Sequence, residues 1–346
     1  MRAATLRSLL AAASHGYAFG MAVRNRWYDT GWPVRCLSTP VISVGNLTVG
    51  GTGKTPMTLW LCELLLQRGR RPAVLSRGYK APGGGPPDEL AMLARRCPRA
   101  IGVAHADRLR AGLLATEQYG ADVLVLDDGY QHRRMARSLD LVLIDATCPF
   151  GYGRLLPRGL LREPLSSLRR ADLLVVTRAD QVTRVDLEGV MARLTGLAPG
   201  VPLLHAIHRP VGIVDLGGAP ATLPDGPCRA VLFAAIARPT PFETTARSLG
   251  ILPVATRWYP DHHAYDAGDA ARLSQQARDA GASLLLTTEK DAVKLAGLPT
   301  EWPCPVRAVR VDIDFPDGGA TIIAKAVDDA LGSIEDDNAP RERPAN

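Results

Sequence analysis

Lys54 and Thr55 close a glycine-rich run, Ser43-Val44-Gly45-Asn46-Leu47-Thr48-Val49-Gly50-Gly51-Thr52-Gly53-Lys54-Thr55-Pro56, that has the chemistry of a phosphate cradle. Glycines let consecutive backbone N–H groups converge on phosphate oxygens. The following helix adds its positive end, Lys54 a mobile charge and Thr55 a hydroxyl for Mg²⁺. Gly50, Gly51, Thr52, Gly53, Lys54 and Thr55 are the residues expected to hold a nucleotide, with Lys54 also acting on the transferring phosphoryl group. The pattern G-x-x-x-x-G-K-[ST] asks for glycine where this chain has Thr48, so a strict search passes it by. Downstream, Asp127 and Asp128 end the apolar run Val123-Leu124-Val125-Leu126, which is how a strand delivers carboxylates to Mg²⁺ beside such a cradle. Thr55, Asp127 and Asp128 are therefore the expected metal ligands.

Phosphoryl transfer to an alcohol also benefits from a group that accepts the hydroxyl proton. Asp107 can serve directly, or it can cap a helix, a role aspartate fills often. The turn Tyr259-Pro260-Asp261-His262-His263-Ala264-Tyr265 offers a histidine pair, although adjacent histidines are more often surface residues than catalysts. A run from Gly151 to Pro164 mixes Arg154, Arg158 and Arg162 with glycine, proline and leucine and cannot be helical throughout. It suits an anionic, partly apolar ligand, or it is a solvated loop. Gly129-Tyr130-Gln131-His132 continues the acidic pair as a turn that could sense nucleotide. Thr177-Arg178-Ala179-Asp180 partly matches the guanine-reading [NT]-K-x-D pattern, with arginine for lysine and no D-x-x-G beside Asp127. This keeps open an alternative, a GTP-binding switch or chaperone-type P-loop NTPase.

Elements able to position these residues alternate between short apolar runs and amphipathic stretches. Strands are expected at 41–44, 72–76, 100–104, 122–126, 139–144 and 172–176. Near-continuous apolar strands separated by helices imply a mostly parallel sheet covered by helices on both faces, an α/β fold of the P-loop NTPase type. Ligands in such folds sit beyond the carboxyl ends of the strands, where the cradle, Ser76-Arg77-Gly78-Tyr79, Asp107 and Asp127 all fall. A proline- and glycine-rich zone at 210–228 reads as a linker to a second, smaller α/β domain at 229–334. That domain has strands at 230–235, 283–287 and 306–313 and helices at 241–249, 267–280 and 320–331. Residues 29–209 form the larger domain, and the charged tail from 335 to 346 is expected to be disordered.

The chain has 346 residues, 46% of them hydrophobic and 22% charged, and no apolar stretch reaches the roughly 18 residues of a membrane span. Six cysteines without paired spacing point to neither a zinc site nor a disulfide framework, and so to a reducing compartment. The balance of 41 basic to 35 acidic residues gives +6, carried almost entirely by arginine. Arginine suits bidentate recognition of phosphate, and a GC-rich genome accounts for the same bias. Residues 1–28 place Leu6, Leu10 and Tyr17 on one helical face, with Arg2, Arg7, Arg24 and Arg26 towards the ends and Trp27 and Tyr28 closing the segment. That pattern fits a helix lying at a membrane interface, or one that simply packs on the domain.

Taken together, the cradle, Ser76-Arg77-Gly78-Tyr79, Asp107-Arg108, Leu126 to His132, Pro157-Arg158-Gly159, Leu161-Arg162-Glu163-Pro164, Asp261-His262-His263 and Thr287-Thr288-Glu289-Lys290-Asp291 resemble the tetraacyldisaccharide 4'-kinase family. These are the lipid A 4'-kinases of Gram-negative bacteria, and the resemblance runs from about residue 24 to residue 331. It implies a Mg²⁺-dependent transfer of the ATP γ-phosphate to the 4'-hydroxyl of a tetraacylated disaccharide 1-phosphate. The lipid A disaccharide precursor is then the partner, met peripherally at the cytoplasmic face of the inner membrane through the N-terminal helix, with no nucleic acid and a monomeric chain. The resemblance assigns proton acceptance to Asp107 assisted by His262, leaving His263 as the rival histidine. Substrate contacts are implied at Arg77, Tyr79, Gln131, His132, Arg158, Arg162 and Glu163. Pro87-Asp88-Glu89-Leu90 stands where the family has G-D-E-P, so no binding role is carried to Asp88 or Glu89.

Overall fold

The computed structural model describes residues 2–31, 33–78, 86–224 and 226–335, with side chains from residue 10 to residue 332. It divides into two compact units. The first holds the described residues up to Arg77, from Arg99 to His208 and from Ile313 onward; the second holds those from Gly78 to Pro98 and from Arg209 to Asp312.

The first unit is built on seven parallel strands: β1 (Val41–Asn46), β2 (Pro72–Ser76), β3 (Ile101–Ala104), β4 (Val123–Asp127), β5 (Leu139–Asp145), β6 (Leu173–Thr177) and β7 (Leu203–His205). Their order is β3-β2-β4-β1-β5-β6-β7. Every residue of β1, β2, β4, β5 and β6 is buried, as a parallel sheet covered on both faces requires. The register sets Val44 of β1 beside Asp127 of β4, so the loop leaving β1 and the acidic pair ending β4 emerge side by side. With it go α1 (Arg2–Asp29), α2 (Lys54–Gln67), α4 (Arg108–Glu117), α5 (Arg184–Leu197) and α9 (Gly319–Glu335).

Helix α9 was expected in the second domain but belongs to this unit, where it meets β5. Ile323, Val327, Ala330 and Leu331 are buried along one stripe at helical spacing, and such a stripe has to find a core. Nearby, Trp60 of α2 packs edge-on against Phe315 at 5.1 Å between ring centroids, and Arg68 pairs with Asp328.

The second unit has a six-stranded sheet in the order β11-β10-β12-β13-β8-β9. Its strands are β8 (Ile207–Val214), β9 (Pro220–Ala221), β10 (Arg229–Ala234), β11 (Leu252–Trp258), β12 (Leu284–Thr288) and β13 (Val306–Asp314). β10 runs parallel to β11 and β12, β12 parallel to β13, and β9 antiparallel to β8. Helices α3 (Asp88–Arg96), α6 (Thr240–Ser248), α7 (Ala267–Asp279) and α8 (Glu289–Leu295) accompany it, with α3 packed on α8. The stretch 210–228, expected as a linker, instead carries most of β8 and all of β9. Its prolines are compatible with strand structure because Pro220 lies on the edge strand and Pro210 lies outside the pairing with β9.

Candidate active site

β1 ends at Asn46, and residues 47–53 lead into α2, which starts at Lys54. Gly50 and Gly53 adopt φ of 119° and 90°, values that strain any side chain. The loop is pinned from two strand ends: Asn46 Nδ2 donates to Thr52 Oγ1 at 2.8 Å, and Thr177 Oγ1 donates to the Thr52 carbonyl at 2.8 Å. Behind it lies buried His208; a Cβ added to Gly53 would come within 2.5 Å of its Nε2. Burial, with the Arg178 charge as a second cause, holds the His208 imidazole down to about 3, so it is neutral at pH 7.

Thr48, the departure from the pattern, has a structural cause. Val49 N–H donates to the Leu160 carbonyl at 2.8 Å, Arg162 N–H donates to the Leu47 carbonyl at 2.7 Å, and Thr48 forms an antiparallel bridge with Leu161. The first part of the cradle is thus held by a β-bridge to the arginine-rich loop. A buried β-branched residue favours that conformation where glycine weakens it.

That pairing delivers Arg162 to the acidic end of β4. Arg162 Nη1 lies 2.9 and 2.7 Å from the two carboxylate oxygens of Asp128 and 3.2 Å from Gln131 Oε1, while Lys54 Nζ lies 3.4 Å from Asp128 Oδ1. Gln131 in turn donates to the Asn46 carbonyl at 2.8 Å. Burial pushes the Asp128 pKa up, but Lys54 and then Arg162 outweigh it and bring it down to about 2. Asp127 is buried in the last position of β4, and its carbonyl accepts from Arg108 at 3.3 Å. These carboxylates and the Thr55 hydroxyl in the first turn of α2 are hard oxygen donors that fit Mg²⁺, an ion commonly held by one or two carboxylates plus substrate phosphates. Among the described residues, no group of three His, Cys, Asp or Glu side chains converges as an all-protein metal site.

The remaining expected contacts separate into different kinds. His132 is driven down to about 4 by burial and then by Arg108, Arg137, Arg77 and Arg134, leaving a neutral ring in a strongly cationic neighbourhood suited to anions. Arg77 and Arg158 are exposed. Tyr79 lies outside the described residues, as do residues 336–346 of the expected tail. Glu163 is fully buried and ion-paired with Arg170 at 2.9 Å; Asn25 donates to it at 3.1 Å. Its visible work is to fasten α1 to the arginine loop. Ser14 Oγ and Tyr17 OH, each 2.8 Å from a loop carbonyl, do the same. Arg24 donates to the Gln131 carbonyl, so α1 also touches the turn after the acidic pair.

Asp107 is the N-cap of α4, accepting from Leu109 N–H at 2.9 Å and Arg110 N–H at 3.4 Å. Burial works the other way, but these bonds and the charges of Arg134 and Arg110 hold its carboxyl below the ordinary range. Arg178, the residue in the lysine place of the guanine-reading pattern, is spent on Asp145 at 2.6 Å.

The family model of tetraacyldisaccharide-1-P 4'-kinase matches residues 6–328. The chain belongs to this kinase family. A tetraacyldisaccharide 4'-kinase of Anaeromyxobacter sp. (strain K) is 40% identical over 344 residues, covering 94% of this chain and 89% of the relative. One from Geobacter metallireducens is 41% identical over 309 residues, covering 83% and 88%. Among solved structures, the "apo" form of LpxK from Aquifex aeolicus in complex with ATP superposes with a TM-score of 0.70 at 29% identity, covering 94% of this chain and 99% of that one. The fold is therefore that of a P-loop kinase, and the GTP-binding alternative is not favoured.

In this kinase the two candidate histidines have different surroundings. His263 Nε2 sits 2.7 Å from Asp269, a buried carboxylate that belongs to the capping box of α7, and its ring stacks on Tyr259 at 4.6 Å. His262 is half exposed, with φ of 60°, and faces Asp88, Glu89 and Lys290 within the second unit. From sequence, no role was given to Asp88 or Glu89, none as loop anchors to Asn46 or Thr177, and His208 was not singled out. Asn46 was within reach as a polar residue ending an apolar strand; the others act across long sequence separations.

Proposed function

We propose that this kinase transfers the γ-phosphate of ATP to the 4'-hydroxyl of a tetraacyldisaccharide 1-phosphate. The observation that carries the reading is the backbone pairing of residues 47–49 to residues 160–162, which fixes an arginine against the acidic pair beside the phosphate cradle. The loop amides and the α2 N-terminus receive the nucleotide phosphates, and Lys54 neutralises charge that builds on the transferring group. Thr55, Asp127 and Asp128 would hold Mg²⁺, which supplies charge neutralisation between the phosphates. Before that, Lys54 and Arg162 keep Asp128 ionised, so the carboxylate needs no deprotonation on loading. The basic region around His132, together with Arg77, Arg158 and Arg162, offers planar donors for the acceptor's phosphate.

Asp107 and His262 share acceptance of the hydroxyl proton in this reading. The helix cap that steadies Asp107 also lowers its proton affinity, which is why a second, more basic acceptor is useful. The kinase works peripherally at the cytoplasmic face of the inner membrane. Supporting this, Phe19 and Trp27 are 73% and 54% exposed on α1, the helix bonded to the arginine loop, and no helix among the described residues is long and apolar enough to cross a membrane. Incubation with γ-labelled ATP and a lipid A disaccharide precursor, followed by product mass, tests donor, acceptor and position together. One added phosphate at the 4'-position is expected; GTP preference with no phosphorylated lipid would overturn the reading.

A further inference from the structure

His262 stands in a cluster assembled from three segments of the second unit. Its Nδ1 is 3.3 Å from Asp88 Oδ2 and 4.0 Å from Glu89 Oε1, both in the first turn of α3. Its Nε2 is 3.4 Å from Lys290 Nζ on α8 and 3.8 Å from Asp261 Oδ2 in its own turn. Lys290 is itself held by Glu89 at 3.1 Å and Asp261 at 3.8 Å, and Lys294 backs Asp88 at 3.7 Å while pairing with Asp291 at 2.8 Å. Asp88 is 8% exposed, so little water competes for its carboxylate. The φ of 60° at His262 is an unusual backbone state for a non-glycine residue and is kept where surrounding contacts over-determine it.

We propose that Asp88 is a positioning residue for the kinase reaction: by accepting from Nδ1–H it fixes the tautomer and plane of His262 and leaves Nε2 as the nitrogen that takes up a proton. A carboxylate behind an imidazole does this in many acid–base sites, since the bond made by one ring nitrogen decides what the other can do. Lys290 is the counterweight, a cation on the Nε2 side that disfavours the protonated ring and can lend Nε2 a hydrogen-bond donor. The net of these neighbours is visible in the ring's basicity. The Asp88 bond raises the His262 pKa, burial and Lys290 pull it down, Asp261 and Glu89 raise it, and the balance lies above the ordinary histidine value. Asp88 itself is pushed up by burial, but the His262 bond and the two lysines leave it below the ordinary carboxylate range, so it stays an acceptor.

This inference rests on the reading that His262 assists proton transfer, and the experiment separates the two. Turnover of the full-length kinase is followed against pH on the detergent-dispersed disaccharide precursor for the wild type, Asp88→Asn, Asp88→Glu, Lys290→Met, His262→Ala and the Asp88→Asn/His262→Ala double variant. Asp88→Asn should lower kcat by about 10- to 100-fold, part of the 10²–10⁴ that a positioned acid or base contributes, with KM for ATP unchanged. It should also move the acid limb of kcat to lower pH, while Lys290→Met moves it to higher pH. Asp88→Glu, which keeps a carboxylate, should recover part of the loss. The double variant should be no slower than His262→Ala alone. If His262→Ala keeps full turnover, the assignment of His262 fails and this inference with it. If His262→Ala is slow but Asp88→Asn still lowers kcat in its absence, or neither limb moves, only the role given to Asp88 is overturned. Should Asp88→Asn not fold, the Lys290→Met limb alone decides: an unmoved limb contradicts the proposal.

Discussion

The cradle end of the first sheet and the His262 cluster of the second unit solve opposite electrostatic problems. At the cradle one carboxylate, Asp128, faces two cations, Lys54 and Arg162, and its pKa falls to about 2. Its charge is fixed across any working pH. Around His262 the proportions are reversed: one half-exposed imidazole meets Asp88, Glu89 and Asp261 with a single ammonium opposite, and its pKa rises above the ordinary histidine value. An imidazole in that setting is a group that can take up and release a proton. Stabilising charge on a transferring phosphoryl needs groups whose ionisation does not change, whereas accepting a proton needs one whose ionisation does.

The largest effect expected is at the cradle. Lys54→Ala should lower kcat by on the order of 10²- to 10³-fold at every pH without moving either limb of the profile. A shifted limb would mean that Lys54 handles a proton, which would erase the contrast. Next is Asp107→Ala, expected to lower kcat by about 10²-fold with KM for ATP unchanged, and to lower stability by about 1 kcal/mol through the lost cap. A fall in melting temperature with normal turnover would reduce Asp107 to its capping role. Gly53→Ala addresses the mould of the cradle itself. A side chain at φ of 90° against the His208 ring should cost about 1–3 kcal/mol of stability, and His208→Ala in the same chain should return part of it. Full additivity of the two changes would show that the histidine does not shape the loop.

A further effect is on acid stability. His132 and His208 have folded pKa values of about 4 and about 3, below the roughly 6.5 of an unfolded histidine. The unfolded chain therefore binds protons first, and stability is lost as pH falls below about 6.5, continuing down to the folded values. Asp128 adds a separate loss only below about 4, towards its folded value of about 2. Thermal melts between pH 7.5 and 4.5 should fall steadily, and His132→Asn should flatten the slope. Equal slopes in both proteins would place the acid sensitivity elsewhere.

How legible each region is in the sequence follows from how each is assembled. The cradle is contiguous and follows a strand of unbroken apolar residues, and the acidic pair ends another such strand, so local pattern sufficed for both. The strands 41–44, 72–76, 122–126, 139–144 and 172–176 all reappear, because burial on both faces leaves an apolar run with no alternation to misread. β11 was missed for the complementary reason: it is an edge strand, half exposed, and Leu-Pro-Val-Ala-Thr-Arg-Trp carries no continuous apolar signal. The greater part of β8 falls in the expected linker because Pro210 and Gly212 suit turns as readily as a strand. The assignment of α9 to the first unit could not come from chain order. His262's neighbours Asp88 and Glu89 are about 170 residues away in sequence, and only the packing of α3 on α8 brings them to the turn. Glu163 illustrates the converse: a charged residue in a family motif reads as a ligand contact, and only the packing shows that it is also fully buried and tied to Arg170 and Asn25.

The division of labour between the two regions is tested most directly by the pH dependence of kcat, measured on phosphorylated disaccharide product, for the wild type, Lys54→Ala and His262→Ala side by side. Lys54→Ala should lower the whole profile and keep its acid limb, while His262→Ala should remove that limb and leave a slower, flatter profile. An acid limb that survives in His262→Ala and disappears in Lys54→Ala would contradict that division.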